Sequence, residues 1–144
     1  MKATKEVFAN LIEEAVPLHK MVGIKILEAT DGYVKLFIPY RPEFIGNQKK
    51  NRLHGGIIAL GMDAVGGAAG ITLLTSEEDK ISTIDMRIDY LAPATSSDLI
   101  FIAKVIRSSN RTIVTNMEAY NVDNQNIIAE GKAVFSLRRK EDEK

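Results

Sequence analysis

The apolar positions along the chain change period several times, and each change marks an element. From Thr4 to Ala15 they fall at Val7, Phe8, Leu11, Ile12 and Ala15, a helical spacing that Pro17 is read to stop. Ile24 to Ala29 and Gly32 to Pro39 are apolar runs joined by Thr30-Asp31-Gly32, and an Asp-Gly between such runs predicts a hairpin. Tyr40 to Leu53 is polar and contains Pro42, Gly46 and Asn47, so an ordered loop is expected there. From Gly56 to Leu74 the only charged side chain is Asp63. That pattern predicts a long helix, apolar on every side and therefore enclosed by protein. Beyond the polar connection Ser76-Glu77-Glu78-Asp79-Lys80 lie four strand-like runs, Ile81 to Leu91, Asp98 to Arg107, Thr112 to Val122 and Ile127 to Leu137. Asp123-Asn124-Gln125-Asn126 joins the last two, and the charged tail from Arg138 to Lys144 is expected to fray.

The order is helix, two strands, long helix, four strands. In 144 residues without an internal repeat or linker it predicts one domain spanning 1–144. One flat sheet cannot cover a helix that is apolar all round. The strands must curl around it, a second copy must cover the far side, or both. The apolar segment approaches the ~20 residues needed to cross a bilayer, but Asp63 near its middle and five glycines argue against a span.

Composition removes several classes of chemistry. The 19 basic and 19 acidic residues cancel, leaving no global field to attract nucleic acid or an anionic membrane. With no cysteine there is no disulfide scaffold, thiolate nucleophile or Cys-based zinc site, and two histidines, His19 and His54, argue against a polyhistidine metal site within one chain. Neither a Gly-x-Ser-x-Gly elbow nor a dinucleotide-binding fingerprint occurs. Lys5, Glu6, Glu13 and Glu14 interrupt any apolar leader at the start, so a cytoplasmic location is expected.

What is left is the stretch His54-Gly55-Gly56 running into the helix that carries Asp63. An enclosed, unpaired carboxylate is costly, so it calls for a chemical reason; a salt bridge to a loop Lys or Arg is the structural alternative. Gly56 is read to open the helix, where an unpaired N–H at the positive end of the dipole can receive an oxyanion and the missing side chain lets a carbonyl approach. Gly55-Gly56 could equally serve only as a tight turn. Seven residues separate Gly56 from Asp63, about 10 Å along one helix. A carboxylate has to come within roughly 3 Å of its reaction partner. Two such helices antiparallel across a twofold axis would place Asp63 of one subunit opposite Gly56 of the other, so a homodimer is expected.

The element order, His54-Gly55-Gly56 followed by Asp63, and Thr83-Ile84-Asp85-Met86-Arg87-Ile88-Asp89-Tyr90-Leu91-Ala92-Pro93 together resemble the hotdog-fold thioesterases of the phenylacetate-degradation type, from about Leu18 to Arg138. The resemblance implies an α+β hotdog fold, a curved antiparallel sheet wrapped around one long central helix, in dimers joined sheet edge to sheet edge, with a tetramer made of two such dimers as the alternative assembly. It implies hydrolysis of an acyl-CoA thioester, with Asp63 as general base on water or as a nucleophile forming a transient anhydride. Coenzyme A arrives as part of the substrate, and no separate cofactor is expected. His54 is expected to orient the carbonyl or brace the loop, and His19 to be structural or exposed.

The family commonly has Asn six residues before the His and Gly three before it. Here those positions hold Gln48 and Asn51, with Asn47 one place early. A hydroxyl beside the carboxylate is implied at Thr83, yet Ile84, Met86, Ile88 and Tyr90 form the apolar face and Thr83 has the opposite parity, so Ser82 is the substitute unless a bulge shifts the register. The phosphates of coenzyme A call for cations, and Lys49, Lys50, Arg52, Arg107, Arg111, Arg138 and Arg139 are the candidates. Small residues at Ala59, Gly66, Gly67 and Gly70 either leave room for an acyl or aromatic group or permit close packing. A non-catalytic acyl-CoA sensor and a hotdog hydratase or dehydratase are the competing functions.

Overall fold

A computed structural model describes residues 4–140. Thr4 caps helix α1 (Lys5–Glu13) by accepting the Val7 N–H, and α1 buries Phe8 and Ile12. Pro17 does not simply end this helix. It sits at the first position of a second one, α2 (Pro17–Val22), where its fixed φ and missing N–H cost nothing. Gly23, at φ 82°, closes α2 in the left-handed conformation.

Strands β1 (Lys25–Thr30) and β2 (Tyr33–Ile38) form the expected hairpin. The polar loop folds into a short 3-10 turn, Pro42–Phe44, and a small ribbon of β3 (Ile45–Asn47) and β4 (Arg52–Leu53). The central helix α3 runs Gly55–Ile71, starting one residue before the expected Gly56 and ending three before Leu74. The remaining strands, β5 (Lys80–Tyr90), β6 (Leu99–Ser108), β7 (Thr112–Asn121) and β8 (Ile127–Arg138), match the four apolar runs within a few residues.

Six strands form one antiparallel sheet in the order β1-β2-β6-β7-β8-β5, against which α3 packs. This is the expected α+β hotdog arrangement. Three helix glycines explain how close the contact is. A Cβ on Gly61 would collide with the Phe101 ring, one on Gly66 would lie 2.7 Å from Met117 Sδ, and one on Gly70 would lie 2.6 Å from Ile81 Cδ1. At these positions small size serves packing.

The sheet does not enclose the helix. Met62, Val65 and Ala69 are buried against it, but Ala59, Leu60 and Gly67 are half-covered and Asp63 is exposed, all along one stripe. The expectation of an enclosed helix is therefore corrected for a single chain. A sheet, even curved, shields one side of a helix, so apolar residues on the other side face solvent until something else covers them. The tail is also corrected as far as it is described. Asp79 accepts the Lys140 N–H at 3.2 Å and lies 3.6 Å from Arg139, which holds the chain end onto the α3–β5 connection; 141–144 lie outside the described residues. Among the described residues no helix is long and apolar enough to cross a membrane.

Candidate active site

The carboxylate is neither enclosed nor unpaired. Thr83 Oγ1 donates to Asp63 Oδ1 at 2.7 Å. The parity difficulty is resolved by a β-bulge, since the register of β5 against β8 slips between Thr83 and Asp85 and turns Thr83 toward the helix. Ser82 lines the same space, but among the described residues the bond to Asp63 comes from Thr83. One carboxylate oxygen is thereby fixed by a hydroxyl and the other is left for a substrate or water. The pair opens onto a cavity of about 230 Å³ between α3, β5 and the first two helices. His19 also lines it; its Nδ1–H donates to the Ile12 carbonyl at 2.9 Å, which joins α2 to α1. Sequence reasoning left His19 without a partner because its partner is a backbone carbonyl seven residues away, a contact with no side-chain signature.

The turn ahead of α3 is built from several directions. His54 is the N-cap, and its N–H donates to the Phe44 carbonyl at 2.7 Å. Gly46 has no room for a side chain, because a Cβ there would come within 2.8 Å of His54 Cα. Tyr90 Oη donates to the Gly55 carbonyl at 3.1 Å while its ring lies against the open face of Gly55. Tyr90 is the residue the sequence reading missed as part of the site. Its one signal was the aromatic before Leu91-Ala92-Pro93, there assigned to the apolar face.

The expected oxyanion donor is already engaged. The Gly56 N–H donates to His54 Nδ1 at 2.7 Å, so the ring caps its own helix. An Nδ1 that accepts carries no proton, which in the neutral ring puts the hydrogen on Nε2 and leaves that nitrogen a donor. The helix opens at Gly55, whose N–H has no partner among the described residues.

His54, Gly55 and Asn47 line a second cavity of about 580 Å³, together with Arg52 and Tyr90. Asn47 is exposed and its Oδ1 accepts the Lys50 N–H at 3.1 Å, so the side chain also closes the loop turn; Gln48 is not part of the lining. Of the candidate cations, Arg52 lines this cavity and Lys49 and Lys50 sit in the adjoining turn. Arg139 is committed to Asp79 and Thr75 at the chain end. Within one chain the candidate residues thus fall into two groups, Asp63 with Thr83 in one cavity and His54, Gly55 and Asn47 in the other. Gly56 belongs to the turn of the second group.

Comparison with known proteins gives a consistent picture. The family model described as Thioesterase superfamily matches residues 50–128. A medium/long-chain acyl-CoA thioesterase, YigI of Salmonella typhimurium, is 29% identical over 134 residues, covering 85% of this chain and 86% of that protein. Its Escherichia coli K12 counterpart is 28% identical over the same length and coverage. A solved protein of Shewanella oneidensis related to the thioesterase superfamily is 33% identical and superimposes with a TM-score of 0.80, covering 91% of this chain and 93% of that one.

Proposed function

The chain belongs to the thioesterase superfamily, and from that premise we propose that it hydrolyses acyl-CoA thioesters as a homodimer, each site joining Asp63 of one subunit to the His54-Gly55-Gly56 turn of the other. The observation that carries this reading is the Thr83–Asp63 pair at 2.7 Å, set on the uncovered stripe of α3 and facing a cavity apart from that of the turn. Asp63 lies eight positions beyond Gly55 on one helix, a span of about 12 Å, too far for both groups to act on one carbonyl. A second copy with its α3 antiparallel would bring the two halves together and cover the exposed helix stripe. Strand β5 is an 11-residue edge, and Ile84 at its bulge is 59% exposed, as fits a strand completed by its counterpart across a twofold axis.

In the proposed reaction Asp63 takes a proton from water, and the hydroxide adds to the thioester carbon. The oxyanion is received by the N–H of Gly55, the first amide of α3, because the Gly56 amide is held by His54. His54 Nε2–H orients the carbonyl rather than transferring a proton. Collapse breaks the C–S bond, and the coenzyme A thiolate leaves with the proton Asp63 had taken, giving the free acid. Direct attack by Asp63 would form an anhydride that water then opens, with the same products. Arg52, with Lys49 and Lys50 beside it, is the cation group placed to meet the phosphates of coenzyme A. The relatives described as medium/long-chain acyl-CoA thioesterases support an acyl-CoA substrate.

The test is thiol release combined with subunit mixing. Asp63→Asn should lower kcat by at least ~10²-fold, the scale of losing a general base or nucleophile. Gly55→Pro removes the proposed donor while suiting the first helical position, and His54, at φ −67° and ψ 135°, already has the backbone that a residue before proline requires. Refolding the two inactive variants together should restore about a quarter of wild-type activity, because half the dimers are mixed and each carries one intact composite site. No recovery in proven mixed dimers would overturn the shared site. An unimpaired Asp63→Asn would overturn the role of Asp63, and binding of acyl-CoA without hydrolysis by the wild type would favour the sensor.

A further inference from the structure

We infer that the cavity beside Asp63 receives the acyl chain and that its outer wall, the α1–α2 pair, sets chain-length preference through Leu11 and Val16. This rests on the thioesterase reading above and names the residues of that site that select the acyl chain. Three observations lead to it. The cavity has the hydrolytic pair, Asp63 and Thr83, in its lining, so an acyl group whose carbonyl lies at Asp63 enters this space first. The rest of the lining is dominated by apolar side chains, including Ile71, Ile81 and Phe135. Gly67 stands one turn beyond Asp63 on the same face, and unlike Gly61, Gly66 and Gly70 it is not filled by a neighbour: a Cβ there would meet only Phe135, at 3.7 Å. Small size at Gly67 therefore leaves open space, where at the other three it permits packing.

The cavity measures about 230 Å³ in the single chain. Its outer side is made by Leu11 of α1 and Val16 of the α1–α2 junction, which are 46% and 37% exposed although both face this space. Ile12, buried, fixes α1 to the core, and the His19 bond to the Ile12 carbonyl fixes α2 to α1, so the wall has a defined position. Leu11 lies in α1 and Val16 caps α2, so chain length is read by elements separate from the helix that carries Asp63.

The experiment compares kcat/KM across butyryl-, octanoyl-, decanoyl- and palmitoyl-CoA for wild type, Leu11→Trp and Leu11→Ala. It also measures binding of S-octyl-CoA, a thioether that cannot be hydrolysed, by calorimetry. Each methylene removed from an apolar site costs about four-fold in affinity. If the indole displaces three, the octanoyl-to-butyryl ratio falls roughly 60-fold in Leu11→Trp, S-octyl-CoA binding weakens to match, and Leu11→Ala raises the decanoyl-to-octanoyl ratio. Leu11 is half-exposed, so neither variant should unfold the chain, and a melting curve checks this. Ratios and S-octyl-CoA affinity that stay at wild-type values in both variants would overturn the wall while leaving hydrolysis standing. Conversely, a wild type that hydrolyses no thioester yet binds S-octyl-CoA in a Leu11-dependent manner would uphold the pocket and refute the hydrolase reading.

Discussion

Replacing Thr83 by valine tests whether the hydroxyl works through Asp63 or merely fills space. Valine keeps the branched shape and removes one hydrogen bond, the 2.7 Å contact from Oγ1 to Asp63 Oδ1. Bonds to a charged group contribute about 1.5–3 kcal/mol, and this one joins two residues that are exposed in the single chain, so the lower end applies. If the bond serves to hold the carboxylate in its reactive rotamer, about 1.5 kcal/mol appears in the barrier and kcat falls roughly ten-fold. KM should move by less than about two-fold, because the surface offered to the acyl group keeps its shape. The assay is steady-state thiol release with the best acyl-CoA substrate, run beside a melting curve. Thr83→Ser should recover most of the loss. A Thr83→Val enzyme with unchanged kcat would refute the positioning role, as would a loss that serine does not restore.

Two further predictions concern stability. Burial of Asp79 would by itself raise its carboxyl, but hydrogen bonds from the Lys140 N–H, the Thr75 N–H and hydroxyl and the Ser76 N–H together hold it below the ordinary value. A depressed carboxyl stabilises the fold above its unfolded value, about 3.9, and that contribution is lost as pH falls through the folded value. The urea midpoint of Asp79→Asn should therefore lie below wild type at pH 7, with the gap closing below about pH 4; a gap that does not change with pH would refute the linkage. The second prediction contrasts two glycines of α3. Gly61→Ala drives a methyl into the Phe101 ring and should cost about 1–3 kcal/mol, whereas Gly67→Ala meets only ordinary contact and gains up to about 1 kcal/mol of helix propensity. Opposite shifts in thermal midpoint are expected, and equal shifts would refute the assignment of packing to one glycine and space to the other.

The sequence by itself determined the elements and singled out a candidate site. Period-two runs gave four long strands, the Asp-Gly turn gave the first hairpin, and one carboxylate in an apolar helix behind His54-Gly55-Gly56 marked the candidate residues, because these are local patterns written in consecutive residues. Tertiary structure decided what those residues do to one another. Pro17 reads equally as the end of one helix and the start of the next, and the packing of α1 and α2 chose the second. The parity of Thr83 depended on a bulge that arises only where β5 meets β8. Only folding placed the His54 ring on the Gly56 amide, and the exposure of Asp63 followed from which side of α3 the sheet covers. Four glycines in one helix looked alike in sequence, yet neighbours from β5, β6, β7 and β8 occupy the space beside three and leave it beside Gly67. Spacing along a chain fixes which residues share a face, but not what stands opposite that face, and the division of labour in this site is set by what stands opposite.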